Sequence, residues 1–223
     1  MNRTALALAS LLALAACGSD HTEGVSTATV AEPAAAAAPA AEPTAAAPAA
    51  RETLQIDRAS SSVGFTGAKI TATHDGSFSD FAGTIDLNPA DVTASAVRIT
   101  VQMASLSIEP AQLSTHLLTP DFFDAPQFPT ATFESTAVRA GGEGQVGGQP
   151  ATHTVTGNLT MRGTTRAVSF PAIVSVEPTG VRAQSEFTIN RRDFGIVYPG
   201  MPDDLIRDEV VIRFDVRAPR SAS

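Results

Sequence analysis

The sequence predicts an all-β domain with one short helix, and three observations carry that prediction. Apolar and polar residues alternate with period two in run after run. Clusters of Gly, Pro and Asn separate the runs, and only one stretch, near Pro110 and Leu118, shows helical spacing instead. Period two marks a half-buried strand, because successive side chains leave opposite faces of the pleat.

The alternation is cleanest in three places. Val97, Ile99, Val101 and Met103 alternate with Ala96, Arg98, Thr100 and Gln102; Val210, Ile212, Phe214 and Val216 alternate with Val211, Arg213, Asp215 and Arg217; Phe187 and Ile189 alternate with Glu186, Thr188 and Asn190. Looser runs cover residues 62–73, 78–87, 130–138, 152–161, 165–176 and 181–189. Turns fall at Gly141-Gly142-Glu143-Gly144 and Gly147-Gly148, and Pro171 predicts a bulge or bend, since proline has no N–H to give a ladder. Between Pro110 and Phe123, Leu113, Leu117 and Leu118 share a helical face, with Pro110 placed to open the helix and Pro120 to close it. About eight one-faced strands must close or pair to hide their edges, which leaves a closed barrel or a two-sheet sandwich.

The N-terminus reads as an export signal. Arg3 is followed by an apolar run over residues 5–14 broken only by Ser10, too short for the roughly 20 residues that span a bilayer core. Leu14-Ala15-Ala16-Cys17 then fits a bacterial lipoprotein signal covering residues 1–16, with cleavage before Cys17 and lipid on its sulfur. Cys17 is the only cysteine, so no intramolecular disulfide supports the domain. Two or more acyl chains there would anchor the protein firmly. The expected location is the cell envelope, facing the periplasm, with Gly18 in place of Asp favouring the outer membrane over the inner. Residues 17–50 read as the lipidated cysteine and a disordered Ala/Pro-rich tether, reaching about 100 Å at full polyproline stretch. The folded domain then occupies residues 51–223.

A formal charge of −8, one unit more negative once Arg3 is removed with the signal, leaves no basic run to grip phosphates. Nucleic acid is excluded as a partner, and so is electrostatic docking on anionic lipid. His21, His74, His116 and His153 are scattered without ligand spacing, so no metal site is expected. His74, Asp75 and Ser77 are too close along one strand or turn to converge as a catalytic triad, and no enzymatic activity is expected.

Several motifs, in order, span nearly the whole domain. They are Val63-Gly64-Phe65, His74-Asp75-Gly76-Ser77-Phe78 and Phe81-Ala82-Gly83. The most specific run extends from His116-Leu117-Leu118 through Asp121-Phe122-Phe123-Asp124 to Phe128-Pro129-Thr130-Ala131-Thr132-Phe133. Val155-Thr156-Gly157-Asn158-Leu159-Thr160-Met161-Arg162-Gly163 and Arg191-Arg192-Asp193-Phe194-Gly195 follow. Together they resemble the YceI-like family of periplasmic polyisoprenoid-binding proteins. The lipoprotein signal and the long tether depart from the family's usual secreted form. The resemblance implies a lipocalin-like, extended, antiparallel eight-stranded β-barrel. Its apolar interior would hold one polyisoprenoid chain, such as the tail of a quinone.

On that implication no cofactor is required beyond a bound polyisoprenoid lipid or quinone. The expected role is a lipid-anchored carrier or buffer. The alternatives are a quinone-loaded redox partner of a membrane cytochrome and an envelope-stress or interaction protein with a solid core; a homodimer is a further expected assembly. Eleven Phe against one Tyr and no Trp suit a hydrocarbon lining, because Phe has no polar tip to satisfy; composition alone favours an ordinary core, and it is the resemblance that turns the reading to a lining. Alternation selects Phe65, Phe78, Phe81, Val97, Ile99, Val101, Met103, Phe133, Val155, Phe170, Phe187 and Ile189 as the lining. Leu117, Leu118, Phe122 and Phe123 either gate the mouth or anchor a turn. His74, Arg191 and Asp193 are the polar candidates, for a head group or for a salt bridge to Asp124 or another acid that locks the barrel end.

Overall fold

The computed structural model describes residues 21–33 and 51–220. The expected signal at 1–16, the lipidation of Cys17 and the tether residues 34–50 lie outside the described residues. Two short strands come first, β1 (Ser26–Thr27) and β2 (Thr29–Ala31), followed by β3 (Glu52–Gln55), β4 (Ser62–Ala68), β5 (Thr73–Phe78) and β6 (Phe81–Leu87). Next come β7 (Ala96–Gln102), β8 (Leu106–Ile108), the helix α1 (Ala111–Leu117) and β9 (Thr130–Ala140). A small hairpin of β10 (Gln145–Val146) and β11 (Gln149–Pro150) leads into the long strands β12 (His153–Met161), β13 (Thr164–Glu177) and β14 (Gly180–Asn190). A second hairpin, β15 (Gly200–Met201) with β16 (Asp204–Leu205), precedes β17 (Glu209–Pro219).

One 13-stranded sheet contains all but the two hairpins, and its path runs β3-β6-β7-β9-β12-β13-β14-β17-β4-β5-β8. Every pair along that path is antiparallel. The sheet curls around an apolar interior, in agreement with the expected class. Its wall has nine strands of six residues or more rather than eight. The extra one arises because the run 62–73 contains a turn after Ala68 and doubles back as β5. The helix forms between its two prolines as the spacing predicted, with Pro110 at its N-cap.

Pro171 is where the wall parts. β13 pairs with β14 only from Ile173 onward. Below the proline the two strands diverge, and the N-terminal segment fills the seam. Ser26 and Thr27 run parallel to Phe187 and Thr188, while Thr29, Val30 and Ala31 run antiparallel to Ser169, Val168 and Ala167. Ala28 bridges the two ladders, donating its N–H to the Thr188 carbonyl at 2.9 Å, and is buried beside Phe170 and Phe187 in one core cluster. The tether reading therefore fails for residues 21–33. Their low aromatic content suggested nothing to bury, but a small alanine fits a seam already walled by phenylalanines, and the ladder supplies backbone partners.

Candidate ligand-binding site

The curled sheet encloses a cavity of about 540 Å³ that runs along the barrel. Its lining extends from Val92, Ser95 and Val97 at one end to Lys69, His74 and Arg207 at the other. The volume falls within the roughly 300–1,000 Å³ of pockets that enclose small ligands. Ladder register builds the wall: Phe65 lies opposite Ile212, Ile212 opposite Phe187, and Ile99 opposite Phe133, so each inward side chain meets another inward one. Two aromatic groups dominate. Phe170 and Phe187 stack in parallel at 4.3 Å, with Phe133 and Phe214 packed around Phe170 at 5.5 and 5.7 Å. Towards the helix, Phe65, Phe78 and Phe123 form a second group with centroids about 6 Å apart.

Val97, Ile99, Val101, Phe133 and Phe214 point inward yet stay only half-buried, because they face the hollow rather than a packed neighbour. The interior is not a solid core.

The cavity is lined by Phe65, Phe78, Val97, Ile99, Val101, Met103, Phe133, Val155, Phe170, Phe187 and Ile189, as alternation predicted, and by Leu117, Phe122 and Phe123 from the helix region. Phe81 is a correction. It is 4 % exposed and lies in a packed cluster with Leu54, Ile56 and Ile85, so its ring fills the wall instead of facing the hollow. Leu118 likewise packs beside the helix cluster without lining the cavity.

Arg191 reaches the cavity wall and is only 4 % exposed. Its acid is Asp208, at 3.0 Å, and not Asp124. Its guanidinium also donates to the carbonyls of Ile196 at 2.8 Å and Arg207 at 3.1 Å, stapling the segment before β17 to the end of β14. Burial pulls this guanidinium below the usual arginine range, while Asp208 opposes that shift. Asp193 does not join the site: it sits in the 3-10 turn after β14, and its carbonyl accepts from Arg166 Nε at 3.2 Å. His74 lines the cavity, with Nδ1 3.0 Å from the Glu109 carbonyl. Lys69, also in the lining, is paired with Asp204, whose carboxyl it holds below the usual range with help from Thr71.

The inward face of β17 was missed: Val210, Ile212, Phe214 and Val216 all line the cavity. Their alternation was as clean as that of β7 and was the signal that identifies them.

Residues 54–218 match the model of the YceI-like domain. The chain belongs to the YceI-like family. A UPF0312 protein of Pseudomonas putida (strain GB-1) is 37 % identical over 131 residues, 56 % of this chain and 65 % of that relative. The chain thus spans about 65 % of the length of the curated relatives it matches. Among solved structures, BcnA of Burkholderia cenocepacia superposes with a TM-score of 0.63 at 25 % identity, covering 73 % of this chain and 99 % of BcnA. A polyisoprenoid-binding domain from Saccharophagus degradans, implicated in plant cell wall breakdown, shares the fold. Its TM-score is 0.59 at 15 % identity, covering 77 % of this chain and all of that domain. In this YceI-like barrel the polar lining gathers chiefly at the Lys69, His74, Arg191 and Arg207 end, and aliphatic and phenyl groups form most of the rest.

Proposed function

We propose that this protein holds the isoprenoid chain of a lipid in its barrel and serves as a lipid-anchored, periplasm-facing carrier or buffer rather than as an enzyme. The observation that carries this reading is the hollow: about 540 Å³ lined by aliphatic and phenyl side chains from strands around the whole wall. A cavity with few polar side chains away from its Lys69 and Arg207 end suits a hydrocarbon, since a polar ligand group there would lose most of its hydrogen bonds to water. Each buried CH₂ is worth about 0.8 kcal/mol, so a few five-carbon isoprene units already support micromolar-scale binding. The cationic residues at one end fit a polar head. The polyisoprenoid-binding domain of the same fold lends support, and the hollow argues against the solid-core alternative.

Ile99→Asp tests the reading directly. Ile99 faces the hollow half-buried, so a smaller aspartate fits there without a clash and puts a charge where the hydrocarbon would lie. Isoprenoid alcohol or quinone binding is expected to fall at least about tenfold with the β-sheet circular dichroism retained. Undiminished binding in the folded variant would remove the cavity as the site.

A further inference from the structure

The two ends of the barrel carry opposite surfaces. Where β14 finishes and β17 begins, four of the five exposed large apolar side chains among the described residues gather: Ile70 (59 % exposed), Val197 (59 %), Met201 (62 %) and Leu205 (46 %). Three of them belong to one joined rim, and Val197 follows Ile196, which packs in one cluster with Ile206. The Ile70 N–H donates to the Leu205 carbonyl at 3.1 Å, Lys69 bridges to Ile206, and Met201 lies across from Asp204 in the β15–β16 hairpin. Lys69, Ile206 and Arg207, the chain neighbours of this rim, line the cavity. The opposite end carries only the fifth, Val176 at 37 % exposed, beside the ion pairs of Arg182 with Asp215 and Arg220 with Glu52.

A second observation points to the same end. His21 Nε2 lies 2.9 Å from the Glu209 carbonyl at the start of β17, and residues beyond it are held in the seam between β13 and β14. His21, where the described chain begins, therefore stands at the rim's end of the barrel. Cys17 stands four positions before His21, a reach of at most about 14 Å.

Charge near the rim balances, Lys69 and Arg207 against Asp203 and Asp204. Attraction to anionic lipid is not what this surface offers. Aliphatic side chains held in water beside the end of an apolar cavity gain by entering hydrocarbon. We propose that this rim docks on the surface of a lipid bilayer, so that ligand passes between membrane and cavity without crossing water. The inference rests on the isoprenoid-binding reading above. A lipidated Cys17 would then hold the rim on its membrane at short range.

The protein contains no Trp, which makes a single-tryptophan probe unambiguous. Protein carrying Met201→Trp, mixed with vesicles of phosphatidylcholine brominated along the acyl chains, is expected to lose roughly half its emission or more. Glu177→Trp, at the opposite end, should lose none. The contrast should persist in high salt and without anionic lipid, and adding Val197→Ser with Leu205→Ser should abolish it while the melting temperature holds. Equal quenching at both ends, or none at either, would overturn the proposal. So would a dimer in light scattering that needs Val197 and Leu205, which would give the rim to a second copy. Isoprenoid content, measured on the same preparation, separates the two readings. Rim quenching in a protein that binds no isoprenoid would keep the membrane surface and discard the carrier.

Discussion

Phe187 and Phe133 both line the cavity, yet they stand in different surroundings. Phe187 is 3 % exposed and stacked on Phe170, whereas Phe133 is only half-buried against the hollow. Phe187→Ala is expected to cost about 3–5 kcal/mol, and Phe133→Ala about 2 kcal/mol or less, because the latter ring already lacks neighbours on one side. Urea denaturation of the two variants checks the order; equal losses would mean that the interior is packed. Asp215 is held below the usual carboxylate range chiefly by its bond to Arg182, whose Nε lies 2.8 Å away. A carboxyl with a depressed folded pKa stabilises the protein above its unfolded value near 3.9 and loses that contribution as pH falls through the folded value. Asp215→Asn should therefore be less stable at pH 7, by about 1 kcal/mol for a partly exposed pair, and should converge with the parent in strong acid. Melting curves over pH 2–7 read this directly.

At the scale of elements, the seam at Pro171 and the bulge at Gly157 set the shape of the wall. The β9–β12 register shifts between Thr156 and Gly157, and a Cβ on Gly157 would collide with the Phe133 ring and the Glu134 carbonyl. Gly157→Ala is expected to destabilise by about 1–3 kcal/mol and to push Phe133 into the hollow. Ligand affinity should drop with it. In the seam, Ala28→Asp would place a carboxylate among Phe170, Phe187 and Phe194, so β1 and β2 should detach while the remaining sheet stands. Hydrogen exchange is then expected to quicken at least tenfold at amides of residues 167–169 and 187–188, and to stay unchanged in β7 and β9. Period two made β7, β14 and β17 legible, since each alternates apolar residues on the interior face with mostly polar ones on the other, although Thr188 and Val211 on that other face are buried. The split of run 62–73 into two strands was not, because the turn after Ala68 contains neither Gly nor Pro. Nor was the docking of residues 26–31, whose Thr, Val and Ala acquire a role only through a gap that two distant strands leave open. Phe81 was misplaced for a related reason: alternation gives the face of a strand, not whether a neighbour covers the ring.

For the molecule as a whole, the docked N-terminal segment changes the geometry that the proposed Cys17 anchor would have. A tether of about 100 Å would let the barrel roam, whereas His21 beside Glu209 stands at the end that carries the apolar rim, four positions from Cys17 in sequence. Cavity, cationic lining and rim then share one axis, and the function turns above all on what fills the cavity. Native mass spectrometry of the protein purified from its own host tests that most directly. A species heavier by one isoprenoid lipid is expected, released on extraction and absent from Ile99→Asp. A parent protein that carries no such mass, and takes none up when offered isoprenoid quinone or alcohol, would contradict it.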